Sequence, residues 1–386
     1  MMSEVLGWMD EWGPEKILIV RDTRTGMKGM LVIDNTARGM GKGGCRMAPD
    51  VTLWDCFRLA RTMTWKWAMA DIFLGGAKAA IVADPNSPNK EGIVRAFVRA
   101  IKKMLPDEYV FGSDMGFAEP EEAIVIDECE GDMRMAVGTP GELGGLPYDE
   151  LGLTGYGVAE ATEVGTEHLG MNLKEATVSI QGLGAVGSFT AKFLHEKGVR
   201  RIVAISSVEG ALYDPNGLDI EKLLQLKEKF GDRAVKEYQG ANSIPLEDEL
   251  KLDVDILIPA AKGDVITKEN VDAVKAKLIV EGANFPVTPE CQEILHKRGI
   301  LLIPDFVANA GAVVGTGKSM FYRYSCERLD PTEVYVSIKS KMKSNVATVL
   351  NEAKGTNKLP IDVALDIAKE RVRKAMELRG RIPKRA

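Results

Sequence analysis

The sequence predicts an α/β protein of two domains, the second built on a doubly wound parallel sheet, with C-terminal helices packing back on the first. Three observations predict it. The chain has 386 residues, more than one domain of roughly 150 residues uses. Beyond about residue 152, apolar β-rich runs alternate with helical stretches, the pattern of a parallel sheet covered on both faces. Between the two halves lies AVGTPGELGGLPYDEL, Ala136 to Leu151, too rich in Gly and Pro for a regular element and suited to a linker or an active-site loop. The domains are expected at 1–151 with 333–386, and at 152–332.

In the first half, Ile17 to Asp22 and Met30 to Ile33 flank a turn at Thr25-Gly26 and read as a hairpin. Residues 52–70 carry Leu53, Phe57, Ala60 and Thr64 at helical spacing. A strand over Lys78 to Asp84 ends at Pro-Asn-Ser-Pro. A helix (91–105), a short strand (Tyr109 to Phe111) and a helix (120–129) follow. In the second half, strands are predicted at Thr177 to Gln181, Arg201 to Ser206, Asp253 to Pro259, Leu278 to Glu281 and Ile300 to Ile303, with a weaker one near Val235. The last stretch predicts helices at 310–325, 332–353 and 361–379, interrupted near Lys354-Gly355 and Leu359-Pro360. The basic tail RGRIPKRA reads as a solvated end.

Composition narrows the function. Hydrophobic residues make up 45% and charged residues 27% of the chain, ordinary for a soluble globular protein. Lys plus Arg is 50 against 56 Asp plus Glu, a formal charge of −6, which argues against nucleic-acid binding. No run of 18 apolar residues appears, so no membrane partner is expected. The start, MMSEVLGWMDEWG, carries acids where a secretory signal carries bases, and a cytoplasmic location is expected. Five scattered cysteines, Cys45, Cys56, Cys129, Cys291 and Cys326, contain no C-x-x-C; they read as reduced thiols, with no metal site. With histidine limited to His168, His195 and His296, proton chemistry falls to Lys, Asp, Glu or Tyr.

The clearest motif is VSIQGLGAVGSFTAKFL. Gly182, Gly184 and Gly187 form G-x-G-x-x-G between a strand and a helix, the Rossmann-like arrangement. The first glycine allows a tight turn, the second close approach of a pyrophosphate, and the third close helix–strand packing beneath helix N–H groups aimed at the anion. The next strand ends Ser206-Ser207-Val208-Glu209, serines standing where an acid would hold the ribose 2′-hydroxyl of NAD. Ser207 tolerates a 2′-phosphate and Glu209 stands within two residues to take a hydroxyl, so NAD and NADP both remain open, with a slight lean to NADP or dual use.

Lysines accompany the glycine-rich segments Gly41-Lys42-Gly43-Gly44-Cys45-Arg46 and Leu74-Gly75-Gly76-Ala77-Lys78, with Met63-Thr64-Trp65-Lys66 between. The bland expectation is three surface lysines. Convergence would make a dianion pocket and depress at least one ammonium pKa. Asp114, in Phe111-Gly112-Ser113-Asp114-Met115-Gly116, follows a short strand; it is a functional carboxylate or a turn aspartate satisfying backbone N–H groups.

Together these segments resemble the glutamate/leucine/phenylalanine/valine dehydrogenase superfamily from about Gly41 to Ala312. GKGGCRM is similar to its G-G-x-R segment, MTWKWA to M-T-x-K-x-A, LGGAKAAI to the catalytic-lysine loop and GSDMG to the catalytic-aspartate segment. LTGYGV, QGLGAVG, EGANFPVTPE and FVANAGAVVGT resemble its cofactor-side segments in order. The resemblance implies reversible oxidative deamination of an L-amino acid to a 2-oxo acid and ammonia, with NAD or NADP. It implies Lys78 as the catalytic lysine and Asp114 as proton donor and acceptor. Lys66 would hold the α-carboxylate, with Lys42, Gly43, Gly44 and Thr316 completing the substrate site. Thr154 and Asn309 would face the nicotinamide end; Gly182, Gly184, Ala185, Val186, Gly187, Ser206, Ser207, Ala260, Ala261 and Asn284 would complete the cofactor site. It also implies a homo-oligomer, a hexamer being favoured.

Lys42 and Thr316 resemble the glutamate branch, because a buried ammonium without an anion disfavours an aliphatic substrate. GGCRM leans to the leucine and phenylalanine branch, so a leucine/valine/phenylalanine-type enzyme is the alternative, followed by a catalytically silent nucleotide-binding paralogue. Ala79, Ala80 and Ala312 stand where the family usually has glycine, and alanine would be strained wherever φ must be positive. Lys262-Gly263-Asp264 and Lys318 are further departures.

Overall fold

The computed structural model describes residues 2–325 and 327–384. Cys326 and the chain ends Met1, Arg385 and Ala386 lie outside them. The chain forms two units: one runs to Pro147 and takes up Thr316–Val334 and the chain from Leu365 onward, the other holds Tyr148–Gly315 and Tyr335–Ala364.

The first unit is a sheet of β1 (Lys16–Arg21), β2 (Lys28–Asn35), β3 (Gly41–Lys42), β4 (Cys45–Ala48), β5 (Gly75–Val82) and β6 (Tyr109–Val110), in the order β1-β2-β5-β3-β6, with β4 also on β5. Strand β2 is buried along all but its first residue. Leu31 and Ile33 enter one apolar cluster with Phe97, Ile101, Phe111 and Val125, whereas Met30 and Val32 enter a second with Cys56, Phe57 and Ala60. Covered on both faces, the strand reads as an unbroken apolar run. The predicted hairpin forms in register, Lys16 opposite Ile33 and Arg21 opposite Lys28. β3 and β4 run parallel to β5 and were not visible as strands, because two to four residues broken by Gly43-Gly44 carry no periodicity.

One face of this sheet is covered by the Leu53–Met69 helix, which starts in a capping box. Thr52 Oγ1 accepts the Asp55 N–H at 3.1 Å and Asp55 Oδ2 accepts the Thr52 N–H at 3.1 Å. The Lys90–Ile101 and Glu119–Glu128 helices supply Phe97, Ile101 and Val125 to the other face. The 91–105 prediction ran long because the chain tightens to a 3-10 turn at Lys102–Met104. From Leu365, the Pro360–Leu378 helix belongs to this unit; Arg371 Nη1 donates to the carbonyls of Ala68 and Met69 at 2.8 and 2.9 Å.

The second unit is a sheet in the order β10-β9-β8-β7-β11-β12-β13. β7 (Thr177–Gln181), β8 (Arg201–Ser207), β11 (Ile256–Pro259), β12 (Leu278–Val280) and β13 (Leu301–Ile303) are parallel, as predicted. β9 (Gly210–Tyr213) and β10 (Asn242–Ile244) extend the edge with antiparallel pairing, so the sheet is mixed. The run near Val235 is a short helix, Ala234–Glu237, not a strand. Its burial against the sheet edge, not its β-branched side chain, decides its conformation. The Pro331–Thr356 helix continues through Lys354-Gly355 without the predicted break: one exposed glycine in a last turn costs only about 1 kcal/mol.

The alanines at unexpected positions are unstrained. Ala79 and Ala80 lie inside β5, opposite Leu31 and Met30, each methyl buried in a different one of the two clusters. Neither they nor Ala312 has positive φ. At the third site the close approach belongs to Gly311, where an added Cβ would lie 2.0 Å from the Leu153 carbonyl oxygen. Restoring glycine at either β5 position, Ala79→Gly or Ala80→Gly, is therefore expected to lower unfolding free energy by about 1 kcal/mol, measured by urea titration; a gain in stability would contradict the strand geometry.

Candidate active site

Paired glycines set the geometry of the first unit's site by packing. A Cβ on Gly43 would lie 1.8 Å from the Ala77 carbonyl oxygen, and one on Gly44 would lie 2.5 Å from that of Ser113. Glycine at both positions lets the β3–β4 turn sit directly on β5 and on the Asp114 loop. Lys42 ends β3 and Lys78 stands mid-β5, so this close packing brings both toward the loop that follows β6.

Lys42 and Lys78 are 3% and 5% exposed, which removes the surface-lysine expectation for both. Lys78 Nζ donates to Asp114 Oδ2. The same carboxylate accepts from Arg46 Nε and Nη2 at 3.3 and 3.2 Å and from the Met115 N–H at 2.6 Å. Burial would push the Asp114 carboxyl up, but Lys78, Arg46 and the Met115 N–H outweigh it and hold it below the usual carboxylate range. Asp114 is thus an ionised partner of two cations, and the turn role survives beside it.

Lys42 Nζ donates to the Phe111 carbonyl at 2.5 Å, and a Cβ on Gly112 would fall 2.0 Å from that nitrogen. Burial pushes Lys42 down to about 7; Glu122 opposes the shift, while Arg323 and Lys78 add to it. Glu122 is fully buried and neither carboxylate oxygen has a hydrogen-bond donor; burial drives its carboxyl well above the ordinary value, against the pull of Lys42. Lys66 is half-buried on the Leu53–Met69 helix, one residue before Trp67, whose Nε1 donates to the Lys42 carbonyl at 2.9 Å. Thr316 is half-buried on the Gly311–Tyr322 helix, which also carries Arg323's neighbours Ser319 and Tyr322. The Gly/Pro-rich segment walls a cavity of about 430 Å³ with Val137, Gly138, Thr139, Glu142, Ser319 and Arg323.

Sequence reasoning assigned no role to Arg46, Glu122 or Arg323. Arg46 was within reach, two residues beyond the paired glycines. Glu122 was not: it stands among Glu119, Glu121 and Glu122 at a helix start, where acids are ordinary. Glu121 fills that ordinary place by accepting the Ala118 N–H at 2.7 Å. Arg323 lies in the turn that follows the Gly311–Tyr322 helix, far along the chain, with no local signal.

In the second unit, Gly182 has φ +104° and Gly187 packs so closely that a Cβ would lie 1.8 Å from the Gly182 carbonyl oxygen. Around Gly184 the space is open. The Ala185–Glu196 helix begins there with no side-chain cap, Gly184 and Ala185 being exposed and Val186 half-buried. A glycine cradle below uncapped helix N–H groups fits a dinucleotide pyrophosphate. Ser206 Oγ accepts the Gly182 N–H at 3.1 Å, Ser207 Oγ donates to the Asp232 carbonyl at 2.7 Å, and Glu209 pairs with Lys236. Ala260 and Ala261 follow β11, and Asn309 Nδ2 donates to Asn284 Oδ1 at 3.1 Å. Thr154 is half-buried in the first turn of the Leu153–His168 helix. Among the described residues no group of His, Cys, Asp or Glu could hold a metal ion, and no helix is long and apolar enough to cross a membrane.

Because Asp114 neutralises two cations, Asp114→Asn is expected to lower stability by about 3 kcal/mol. The carboxyl's folded pKa lies below the ordinary aspartate value of 3.8, so its contribution is present above that pH and fades as pH falls further. Urea unfolding of both proteins should show the gap at pH 7 and its narrowing in acid; a gap independent of pH would contradict the ion pair.

Two family models match the chain: glutamate/leucine/phenylalanine/valine dehydrogenase over residues 144–380, and the Glu/Leu/Phe/Val dehydrogenase dimerisation domain over residues 14–131. A glutamate dehydrogenase of Aeropyrum pernix is 38% identical over 360 residues, 90% of this chain and 85% of that protein. One of Thermotoga maritima is 35% identical over 364 residues, 92% and 87% of the two chains. Among solved structures, the hetero-hexameric glutamate dehydrogenase of Thermus thermophilus in its Leu-bound form matches with TM-score 0.82 at 29% identity, covering 96% of this chain and 91% of that one. The glutamate dehydrogenase of Peptoniphilus asaccharolyticus matches with TM-score 0.83 at 27% identity, covering 96% and 93%. With both family models matched across a two-sheet α/β chain, this protein belongs to the glutamate/leucine/phenylalanine/valine dehydrogenase family and is an amino-acid dehydrogenase.

Proposed function

We propose that the enzyme interconverts L-glutamate and 2-oxoglutarate plus ammonia, using NAD or NADP. The observation that carries this reading is the charge of the first unit's site. Lys42, Lys78, Arg46 and Arg323 are joined by electrostatic or hydrogen-bonding contact, against Asp114 and Glu122 within the group and Asp55 and Asp132 beside Arg46 and Arg323. Burial favours the neutral form of Glu122, leaving a cationic pocket that suits a dianionic substrate. Glutamate dehydrogenases among the relatives point the same way.

In this proposal Lys66 holds the substrate α-carboxylate, and Lys42 with Thr316 takes the distal one, beside the turn made by Gly43 and Gly44. A bound dinucleotide would supply the hydride chemistry at the substrate α-carbon. Lys78 polarises the 2-oxo group and activates water that attacks the imine carbon. Asp114 takes a proton from that water and later delivers one to the departing amine. Ground-state contact between Lys78 and Asp114 supports the pairing, since a proton can be exchanged without rearrangement. Gly182, Gly184, Ala185, Val186 and Gly187 would hold the pyrophosphate, with Ser206 and Ser207 near the adenosine ribose. Ala260, Ala261, Asn284, Asn309 and Thr154 would form the nicotinamide end. A homo-oligomer, a hexamer by analogy with the assembly named for the Thermus relative, completes the proposal. For the cofactor we favour use of both dinucleotides with a lean to NADP, supported by Lys236 beside Glu209.

Reductive amination of several 2-oxo acids with ammonia, each with NADH and NADPH, tests the reading; a preference for 2-oxoisocaproate over 2-oxoglutarate would replace it with the branched-chain alternative. Lys78→Ala is expected to lose at least 10³-fold in kcat, on the order of one positioned acid or base, while calorimetry still registers dinucleotide binding. Lys42→Leu should raise KM for 2-oxoglutarate far more than for 2-oxoisocaproate. Because a distal carboxylate needs the Lys42 ammonium, which loses its proton near about 7 in the free protein, KM for 2-oxoglutarate should rise with pH above that point; a flat profile would count against Lys42.

A further inference from the structure

Two residues other than glycine hold left-handed backbone side by side in the second unit: Asp264 after β11, at φ +53°, and Phe285 after β12, at φ +52°. Their turns are locked together, the Asp264 N–H donating to the Phe285 carbonyl at 2.8 Å. Phe285 is also fixed from beneath, its N–H donating to Asp305 Oδ2 at 3.0 Å. Asp305 is buried and doubly anchored: its N–H donates to Glu281 Oε2 at 2.8 Å, and its Oδ1 accepts the Phe306 N–H at 2.7 Å. An aromatic residue rarely adopts this backbone, and such a conformation persists only where the surroundings over-determine it. Among the described residues Phe285 is the only aromatic one with positive φ.

Glycine would make the same turn without strain, so the ring needs a reason. Packing within the unit does not supply one, because Phe285 is 56% exposed. Its place does. β7, β11, β12 and β13 are parallel neighbours, and ligands of doubly wound sheets bind beyond the carboxyl ends of the strands. The Gly282 and Ala283 N–H groups donate to the Pro259 carbonyl at 3.1 and 2.9 Å, tying the Phe285 turn to the end of β11. Asn284, immediately before it, accepts from Asn309.

We propose that the Phe285 ring is a wall of the nicotinamide end of the dinucleotide site, presenting an aromatic face to the flat heterocycle and its ribose. This rests on the dinucleotide site of the preceding section. An aromatic contact of this kind is worth about fivefold to tenfold in affinity. The test is isothermal titration of the full-length enzyme with NADH and NADPH, in wild type, Phe285→Gly and Phe285→Tyr. Phe285→Gly is expected to raise Kd about fivefold to tenfold without lowering Tm, since glycine relieves the turn; Phe285→Tyr should bind like wild type. Equal affinity in Phe285→Gly overturns the inference, and a changed assembly size with unchanged affinity would reassign the ring to a subunit contact. Failure of the wild type to bind either dinucleotide would remove the site itself, an outcome distinct from loss of the Phe285 contact.

Discussion

Two ammonium groups, on Lys42 and Lys78, sit almost out of reach of water in one unit, and the surrounding structure is what makes that tolerable. An isolated buried charge is costly enough that the group usually neutralises instead. Lys78 escapes by pairing with Asp114, itself shared with Arg46. Lys42 donates to the Phe111 carbonyl and has beside it a carboxyl in Glu122 that burial disfavours as an anion, with two further cations nearby. The two lysines therefore differ in kind. One is paired in the free protein; the other is under-compensated, a deficit that the proposed binding of a substrate carboxylate would relieve.

That arrangement was only partly legible in the sequence. Lys42, Lys78 and Asp114 stood out because each sits in a glycine-bearing segment. What those glycines do could be seen only in the fold: Gly43 and Gly44 make room for the Ala77 and Ser113 carbonyls. The groups that tune Lys42 were invisible for a physical reason. Glu122 and Arg323 reach it only through tertiary packing, and a buried acid in a helix's first turn looks the same in sequence whether it caps, as Glu121 does, or lacks a donor, as Glu122 does.

The same logic divides the fold. Long segments with a steady period, such as the Leu53–Met69 helix and β7, declare themselves, because their own burial pattern fixes their conformation. β3, β9 and β10 have two to four residues each, and their extended conformation is imposed by the strands they pair with. Val235 went astray in the opposite direction: a β-branched residue at a sheet edge was packed as a helix. Where glycine was expected and alanine found, the strand context of β5 turned an anticipated strain into two buried methyl groups.

The dinucleotide end of the second unit poses the reverse electrostatic problem. The hydroxyls of Ser206 and Ser207 already serve the chain's own backbone, at Gly182 and Asp232, so neither is a dedicated reader of the ribose. Discrimination then falls on Glu209 and Lys236, which neutralise each other in an exposed ion pair. Such an exposed pair is worth little in water and opens readily toward either partner. In the proposed site a 2′-hydroxyl would donate to Glu209, while a 2′-phosphate would draw Lys236 away from it. That pair presents no strong repulsive element to either dinucleotide, and strict specificity often needs one, which supports the proposed dual use.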